Sequence, residues 1–242
     1  REFAEIQITK EGGVYARVDW HSVYRFEKDN CLKQLAAFFK DAVASTVSIY
    51  SQIDDKTRKV IENVLKTATF KHFHMNMNDG ESCKLALDLL GARCEITNAR
   101  FCFDGEEMEE EERNRFVLAL PALETYTFHC LPTRSPLISA EIMMMLARKT
   151  SKLLLFLGAG VQMDLQQLNN AFEEVDTVDH EVRFNIATEL LYAYLENMAQ
   201  NQRCDRVGKY VIMDCETYAA LEFSPSSFGL STITLKPKVF FQ

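Results

Sequence analysis

Pairs of apolar residues, two positions apart, recur through this chain at a nearly fixed step, and that recurrence constrains its fold more than any other feature. The pairs are Val47/Ile49, Phe73/Met75, Phe101/Phe103, Tyr126/Phe128, Leu155/Leu157, Val182/Phe184, Tyr210/Ile212 and Ile233/Leu235. Each sits in a short β-branched or aromatic stretch: Thr46–Ser51, Phe70–Met77, Arg100–Asp104, Thr125–Leu131, Leu153–Leu157, Glu181–Ile186, Tyr210–Asp214 and Thr232–Lys236. A spacing of two puts both members of a pair on one face of a strand. Successive first members lie 26, 28, 25, 29, 27, 28 and 23 residues apart. A strand–helix–strand crossover in a doubly wound sheet takes about 30 residues or more. Stacked repeat units with one strand each take about 20–29, so a curved row of parallel strands is favoured.

Helical periodicity fills most of the intervals. Asp54 or Asp55 opens a helix with Val60, Ile61, Val64 and Leu65 on its stripe, and Glu107 opens one ending in Val117, Leu118 and Leu120. Ser135-Pro136 starts a third, with proline at the first helical position. Asp164 starts a fourth and Thr188 a fifth. Ahead of all of these, Phe3–Thr9 and Val14–Trp20 alternate around Lys10-Glu11-Gly12-Gly13 as a β-hairpin does. Asp29 and Asn30 then cap a helix carrying Leu32, Leu35, Ala36 and Phe39. The expected organisation is an N-terminal hairpin and capping helix in residues 1–45, then a repeat region over 46–242 packed as one continuous domain. The fold class is α/β: a solenoid of about eight βα units with parallel strands. An eight-stranded βα barrel is the alternative. Such a barrel typically needs about 250 residues, and the opening hairpin and helix leave it only residues 46–242.

The best-formed units carry a further signature, the leucine-rich pattern LxxLxLxxN/C, in which apolar positions pack inward and Asn or Cys satisfies backbone groups at the strand exit. Residues Phe70, Phe73, Met75 and Asn78 match with aromatic and Met substitutes, Val207, Tyr210, Ile212 and Cys215 match with Cys at the last position, and Ala44, Val47, Ile49 and Gln52 match more loosely. In the other units the final position is Glu106, Leu131, Gly160, Ala187 or Lys238. Over most of its length the chain resembles the divergent leucine-rich-like C-terminal domains of nematode F-box proteins, the FTH-type and related F-box-associated families. Those domains have irregular Phe- and Met-rich βα repeats and end in a strand segment like Ser231–Lys236. The resemblance implies a protein-binding arm that presents substrates to a ubiquitin ligase.

Composition reads as a soluble acidic globular domain and excludes other classes. A net charge of −8 argues against a general nucleic-acid binder, which needs a basic stripe. The best apolar run, Leu153–Val161, is about half of what a membrane helix requires. Arg1-Glu2-Phe3 does not begin with Met and is polar, which reads as an internal fragment without a signal peptide. The 7 cysteines form no CxxC pair and sit beside Leu, Phe and Ile, as small buried hydrophobes do in a reducing compartment. A cytoplasmic or nuclear protein is expected, with no cofactor.

If the inward pairs face the core, their flanking residues face outward on the sheet. These are Tyr50, His72, His74, Asn76, His129, Leu154, Phe156, Arg183 and Asn185, with Val211 and Met213 further on. Such a polar-aromatic set on a concave face is a candidate partner-binding surface. Alternatively, Leu154, Phe156, Val211 and Met213 are covered by chain folded over the sheet, since parallel strands are commonly buried on both faces. The His72-x-His74 pair is reminiscent of a metal site, but the nearest further imidazole, His129, lies two strands on, about 10 Å away and too far to share an ion. No metal site is expected.

Leu157-Gly158-Ala159-Gly160-Val161 is similar to the glycine loop of sirtuin-like dinucleotide-binding domains, yet no basic residue follows it and Asp164 would repel a phosphate. A tight strand-to-helix turn is the expectation there. The run Glu106, Glu107, Glu109, Glu110, Glu111 and Glu112 reads either as a solvated helix start complementing the helix dipole or as a dock for a basic partner. No Gly-x-Ser-x-Gly, Cys-His pair, phosphate loop or HExxH occurs. Asp104, His129 and Asp214 converge only if the strands close into a barrel. The reading is therefore a non-enzymatic protein-recognition domain, with an α/β enzyme carrying residues at strand C-termini as the alternative.

Overall fold

Alternating side chains in Glu2–Ile8 (β1) and Val14–Arg17 (β2) close an antiparallel hairpin through a turn in which Gly12 adopts φ 78°, open to glycine at no steric cost. The expected hairpin is present, and Val23–Phe26 (β3) adds an unanticipated third strand to it. This is a computed structural model, and it describes residues 1–19, 21–27, 32–103, 108–130, 138–175, 180–200, 204–207, 210–213, 218–225 and 230–237. The chain divides into two compact units, Arg1–Met108 and Glu109–Gln242, both mixed α/β.

In the first unit, Leu32–Phe38 (α1), Val43–Ile49 (β4), Asp55–Leu65 (α2), Thr69–Met77 (β5), Gly80–Ala92 (α3) and Asn98–Phe103 (β6) follow the hairpin. The strand order is β3-β2-β1-β4-β5-β6, with β1, β4, β5 and β6 parallel. The four parallel strands share one burial rule. Phe3, Ile6 and Ile8 are buried, as are Ala44, Val47 and Ile49, then Phe70, Phe73 and Met75, then Ile96, Ala99 and Phe101. Each triplet has the spacing apolar-x-x-apolar-x-apolar. Register aligns them: Ile6, Val47, Phe73 and Ala99 lie abreast, and so do Ile8, Ile49, Met75 and Phe101. Two residues instead of one separate the first and second buried positions in each triplet.

The alignment corrects one step of the sequence reading. Phe73 stands beside Ala99, a step of 26, and not beside Phe101. The strand offers three inward positions, Ala99, Phe101 and Phe103, and the small alanine is the weakest hydrophobic signal of the three. Helix α2 starts as anticipated, with the Asp54 carboxylate accepting from Thr57 N at 2.6 Å, and it buries Val60, Ile61, Val64 and Leu65. Helix α3 falls where residue periodicity predicts none. It is set by a capping box, Asp79 accepting from Ser82 N at 2.8 Å while the Ser82 hydroxyl accepts from Asp79 N at 3.1 Å. Arg93 then donates to the carbonyls of Leu65 and Ala68 and lies over the Phe70 ring, tying the end of α2 to the start of β5.

The second unit contains Glu110–Ala119 (α4), Leu123–Cys130 (β7), Ile138–Ser139 (β8), Ala140–Lys149 (α5), Thr150–Gln162 (β9), Leu165–Val175 (α6), Glu181–Ala187 (β10) and Thr188–Gln200 (α7). Cys204–Val207 (β11), Tyr210–Met213 (β12), Tyr218–Pro225 (β13) and Leu230–Pro237 (β14) follow. Strand order is β7-β9-β10-β14-β13-β12-β11, with β8 paired to the far end of β9. Strands β7, β9 and β10 are parallel, whereas β10–β14, β13–β14, β12–β13 and β11–β12 pairings are antiparallel. The last two expected units are thus corrected: Tyr210–Met213 and Leu230–Pro237 are strands, but of an antiparallel meander. Only residues 208–209, 214–217 and 226–229 link these strands. Links of two to four residues make hairpins, and a parallel crossover needs about a dozen residues or more.

Three further expectations change here. Tyr126 and Phe128 are buried as predicted, but on β9 the buried pair is Leu154 and Phe156, both 0% exposed, while Leu155 and Leu157 are half-buried. Tyr126 lies abreast of Leu154 and Phe128 of Phe156, whose rings stack at 5.1 Å and 13°. An uninterrupted run of leucines has no alternation from which register can be read, so a one-residue slip is invisible in sequence. The helix placed at Ser135-Pro136 starts instead at Ala140 with Ser139 as its cap, because Ile138–Ser139 pairs with Val161–Gln162; residues 131–137 lie outside the description. Gly158-Ala159-Gly160 is part of β9 and not a strand-to-helix turn. In neither unit do the described strands close into a barrel. Asp104 and Asp214, the carboxylates of the barrel alternative, lie outside the described residues. No described helix is long and apolar enough to cross a membrane.

Candidate functional site

The rule that buries alternate apolar positions along the strands of the first unit turns the positions between them to the opposite face. That face carries an ordered polar ladder. One row runs Arg17, Glu5, Thr46, His72, Asn98 across β2, β1, β4, β5 and β6. The next runs Tyr15, Gln7, Ser48, His74, Arg100, with Arg25 of β3 abreast of Tyr15. Asn76 and Cys102 continue the ladder beyond, at the level of half-buried Tyr50, whose N–H donates to Ile8 O. Glu5 is held from two sides, by Arg17 Nη2 at 3.0 Å and by the Ser48 hydroxyl at 3.0 Å. Arg25 sits over the Tyr15 ring at 5.4 Å.

His72, His74 and Asn76 are half-buried on this face, as the sequence places them, and so is Tyr50. The His74 imidazole titrates below its ordinary value, first because partial burial disfavours the cation, then because Arg100 repels it, against an opposing pull from Glu5, with a smaller repulsion from His72. His74 is therefore a neutral hydrogen-bonding group near pH 7. Arg100, exposed, has no ion-pair partner among the described residues. Sequence reasoning missed Glu5, Arg17, Ser48 and Arg100 as members of this set. The alternation of Glu5 and Gln7 with Ile6 and Ile8 is the signal that places the first of them. That β1 lies beside β4 is not written in any local pattern.

The second unit divides the remaining candidates. Leu154 and Phe156, expected on the open face, belong to the core beside Tyr126 and Phe128; the register of β9 buries them, which is neither the open-face placement nor a layer of chain folded over the sheet. Their neighbours Leu153, Leu155 and Leu157 take the open positions, between Thr125, Thr127 and His129 on β7 and Glu181 and Arg183 on β10. Arg183 donates to Glu181 at 2.9 Å. Asn185 is buried. The register of β9 against β10 shifts between Arg183 and Asn185, and Asn185 Nδ2 reaches the Phe156 carbonyl at 3.4 Å while its Oδ1 accepts from Thr232 at 2.7 Å. It is a structural clamp on the irregular stretch of β9. Val211 and Met213 lie on β12, where only the backbone is described.

The His72 and His74 pair belongs to the first unit and His129 to the second. Among the described residues, no group of three or more His, Cys, Asp or Glu side chains is placed to hold a metal ion. Of the acidic run, Glu109, Glu110 and Glu111 are exposed at the start of α4, and Glu111 pairs with Arg115 one turn on; Glu106 and Glu107 lie outside the description. On the helix side of the first unit a cleft of about 450 Å³ opens between α2 and α3, lined by Ile61, Leu65, Leu85, Leu89 and Arg93. No protein-family model matches the chain, and no curated protein matches it.

Proposed function

We propose that this chain is a protein-recognition domain: a leucine-rich-like solenoid of βα units, ended by an antiparallel meander, that binds a partner on its open sheet face. The F-box-associated domains it resembles act as substrate-binding arms of ubiquitin ligases, and the same role is proposed here, in the cytoplasm or nucleus and without cofactor or catalysis of its own. The observation that supports the reading is the aligned apolar-x-x-apolar-x-apolar burial in four parallel strands. That pattern commits one face to the helices and leaves the other as a ladder of Tyr, His, Asn and Arg side chains. Aromatic and Arg groups together on one face are what protein-binding surfaces concentrate.

The test is selection of binding peptides from a random display library, followed by rebinding to variants. Tyr50→Ala and His74→Ala change the open face, and Glu62→Ala and Asp88→Ala change exposed helix positions. Selected peptides are expected to lose binding to the first pair and keep it with the second. Peptides insensitive to the open-face changes, or no selected peptides at all, refute a recognition role for this surface. The ligase role is tested in cells: depleting this protein raises the steady-state level of its partner, and an unchanged level refutes it.

A further inference from the structure

The open face of the first unit differs in charge from the chain that carries it. Against a net charge of −8 for the whole sequence, the two adjacent rows hold three arginines, Arg17, Arg25 and Arg100, two imidazoles, His72 and His74, and one carboxylate, Glu5. That carboxylate is already neutralised by Arg17 at 3.0 Å. The cations sit at opposite ends of the rows. Arg100 on β6 and the Arg17–Arg25 side on β2 and β3 are separated by β1, β4 and β5. At about 4.8 Å per strand, β2 and β6 lie about 19 Å apart, which an extended chain covers in five to six residues at about 3.4 Å each.

We propose that this face takes an extended acidic peptide segment of a partner protein, lying across the strands, with two carboxylates five to six residues apart meeting Arg100 and the Arg25–Arg17 end. His72, His74 and Asn76 donate or accept hydrogen bonds in the middle, and Tyr50 supplies an aromatic edge. This rests on the protein-recognition reading and specifies its partner. A guanidinium is a planar donor fork matched to carboxylate, and a basic patch attracts a segment of opposite sign.

The histidines add a pH response. The titratable and charged groups facing His74 are Glu5 on β1, Tyr15 and Arg17 on β2, Tyr50 after β4, His72 on β5, and Arg100 and Cys102 on β6. With Glu5 engaged by Arg17 and Ser48, an incoming carboxylate is the counter-ion left for a protonated imidazole. Peptide carboxylates stay ionised to about pH 5, so binding tightens as the pH falls from 7.5 to 6.

The experiment is fluorescence anisotropy of labelled octapeptides with Glu at positions 1 and 6, with Gln at both, and with Lys at both, alongside an eight-nucleotide single-stranded RNA. The Glu peptide is expected to bind at least about tenfold tighter than the Gln peptide, the worth of one carboxylate–guanidinium contact of ordinary strength. Arg100→Glu is expected to remove that preference, and Lys59→Glu, the same charge change on the exposed side of α2, to leave it. The double change R25A/R100A gives the same loss without reversing a charge. His72→Gln with His74→Gln is expected to flatten the pH response. Equal binding of Glu and Gln peptides, equal effects of Arg100→Glu and Lys59→Glu, or RNA binding tighter than the Glu peptide would overturn the proposal. Display selection that enriches neutral peptides still dependent on Tyr50 overturns it too, while leaving the recognition reading intact.

Discussion

The register of β9 makes the sharpest stability prediction. Phe156 is 0% exposed and stacks on Phe128 at 5.1 Å, whereas its neighbour Leu155 faces the open side and is half-buried. Truncating a fully buried Phe costs about 3–5 kcal/mol, about 1 of it from the ring pair. Leu155→Ala removes less area from a site that never left water fully, about 1–2 kcal/mol at about 25 cal/mol per Å². With a urea dependence of about 2 kcal/mol per M, Phe156→Ala lowers the unfolding midpoint by about 2 M and Leu155→Ala by under 1 M. Far-UV circular dichroism in urea reads both. Charged replacements separate the faces further. Phe156→Asp strands a carboxylate in an apolar layer and prevents folding, whereas Leu155→Asp stands abreast of Arg183 and folds. A larger loss for Leu155→Ala than for Phe156→Ala, or folding of Phe156→Asp with failure of Leu155→Asp, refutes the register.

Other perturbations probe single devices. Asp79→Ala removes one half of the capping box of α3 and costs about 1 kcal/mol, read as a fall in the urea midpoint. The Tyr126 phenol, held far above its ordinary titration range by burial, donates to Pro121 O at 2.6 Å; Tyr126→Phe leaves that carbonyl short of a donor and costs about 1 kcal/mol, and ultraviolet titration of the wild type shows this tyrosine still neutral when exposed ones have ionised. His74 has its imidazole value lowered by folding, so the unfolded chain binds the proton more readily. Its contribution to stability is intact above about pH 6.5 and falls as the pH drops below that value. Urea midpoints at pH 7.5 and 5.5 are expected to differ less in His74→Gln than in the wild type, and an equal difference in both discounts this group.

Part of the open face is legible in the sequence, because alternation around Phe73 and Met75 fixes where His72, His74 and Asn76 point once β5 is known to be a strand. The slip at Leu153–Leu157 shows the limit of such reasoning: five apolar residues in a row offer two equally good registers, and only the stacking of Phe156 on Phe128 selects one. Helix α3 has no clear periodicity in the sequence for a similar reason. Cys83, Leu85, Ala86 and Leu90 make a broad, weakly contrasted apolar face, and its start is written in the local hydrogen bonds of Asp79 and Ser82.

The sequence by itself determined that β1, β2, β4 to β7, β9, β10, β12 and β14 are strands, the near-constant interval among them and the mixed α/β class, because these follow from residue spacing and local backbone preference; β3, β8, β11 and β13 escaped it. Tertiary structure decided what spacing cannot encode. It placed β1 beside β4, which gathers Arg17 and Glu5 onto the face of His72 and His74. It turned β12 and β14 antiparallel to their chain neighbours β11 and β13, since their short links admit only hairpins. It chose the inward register of β9. Each of these is a pairing between strands distant in sequence, selected by how side chains fill shared space and not by the order in which they occur.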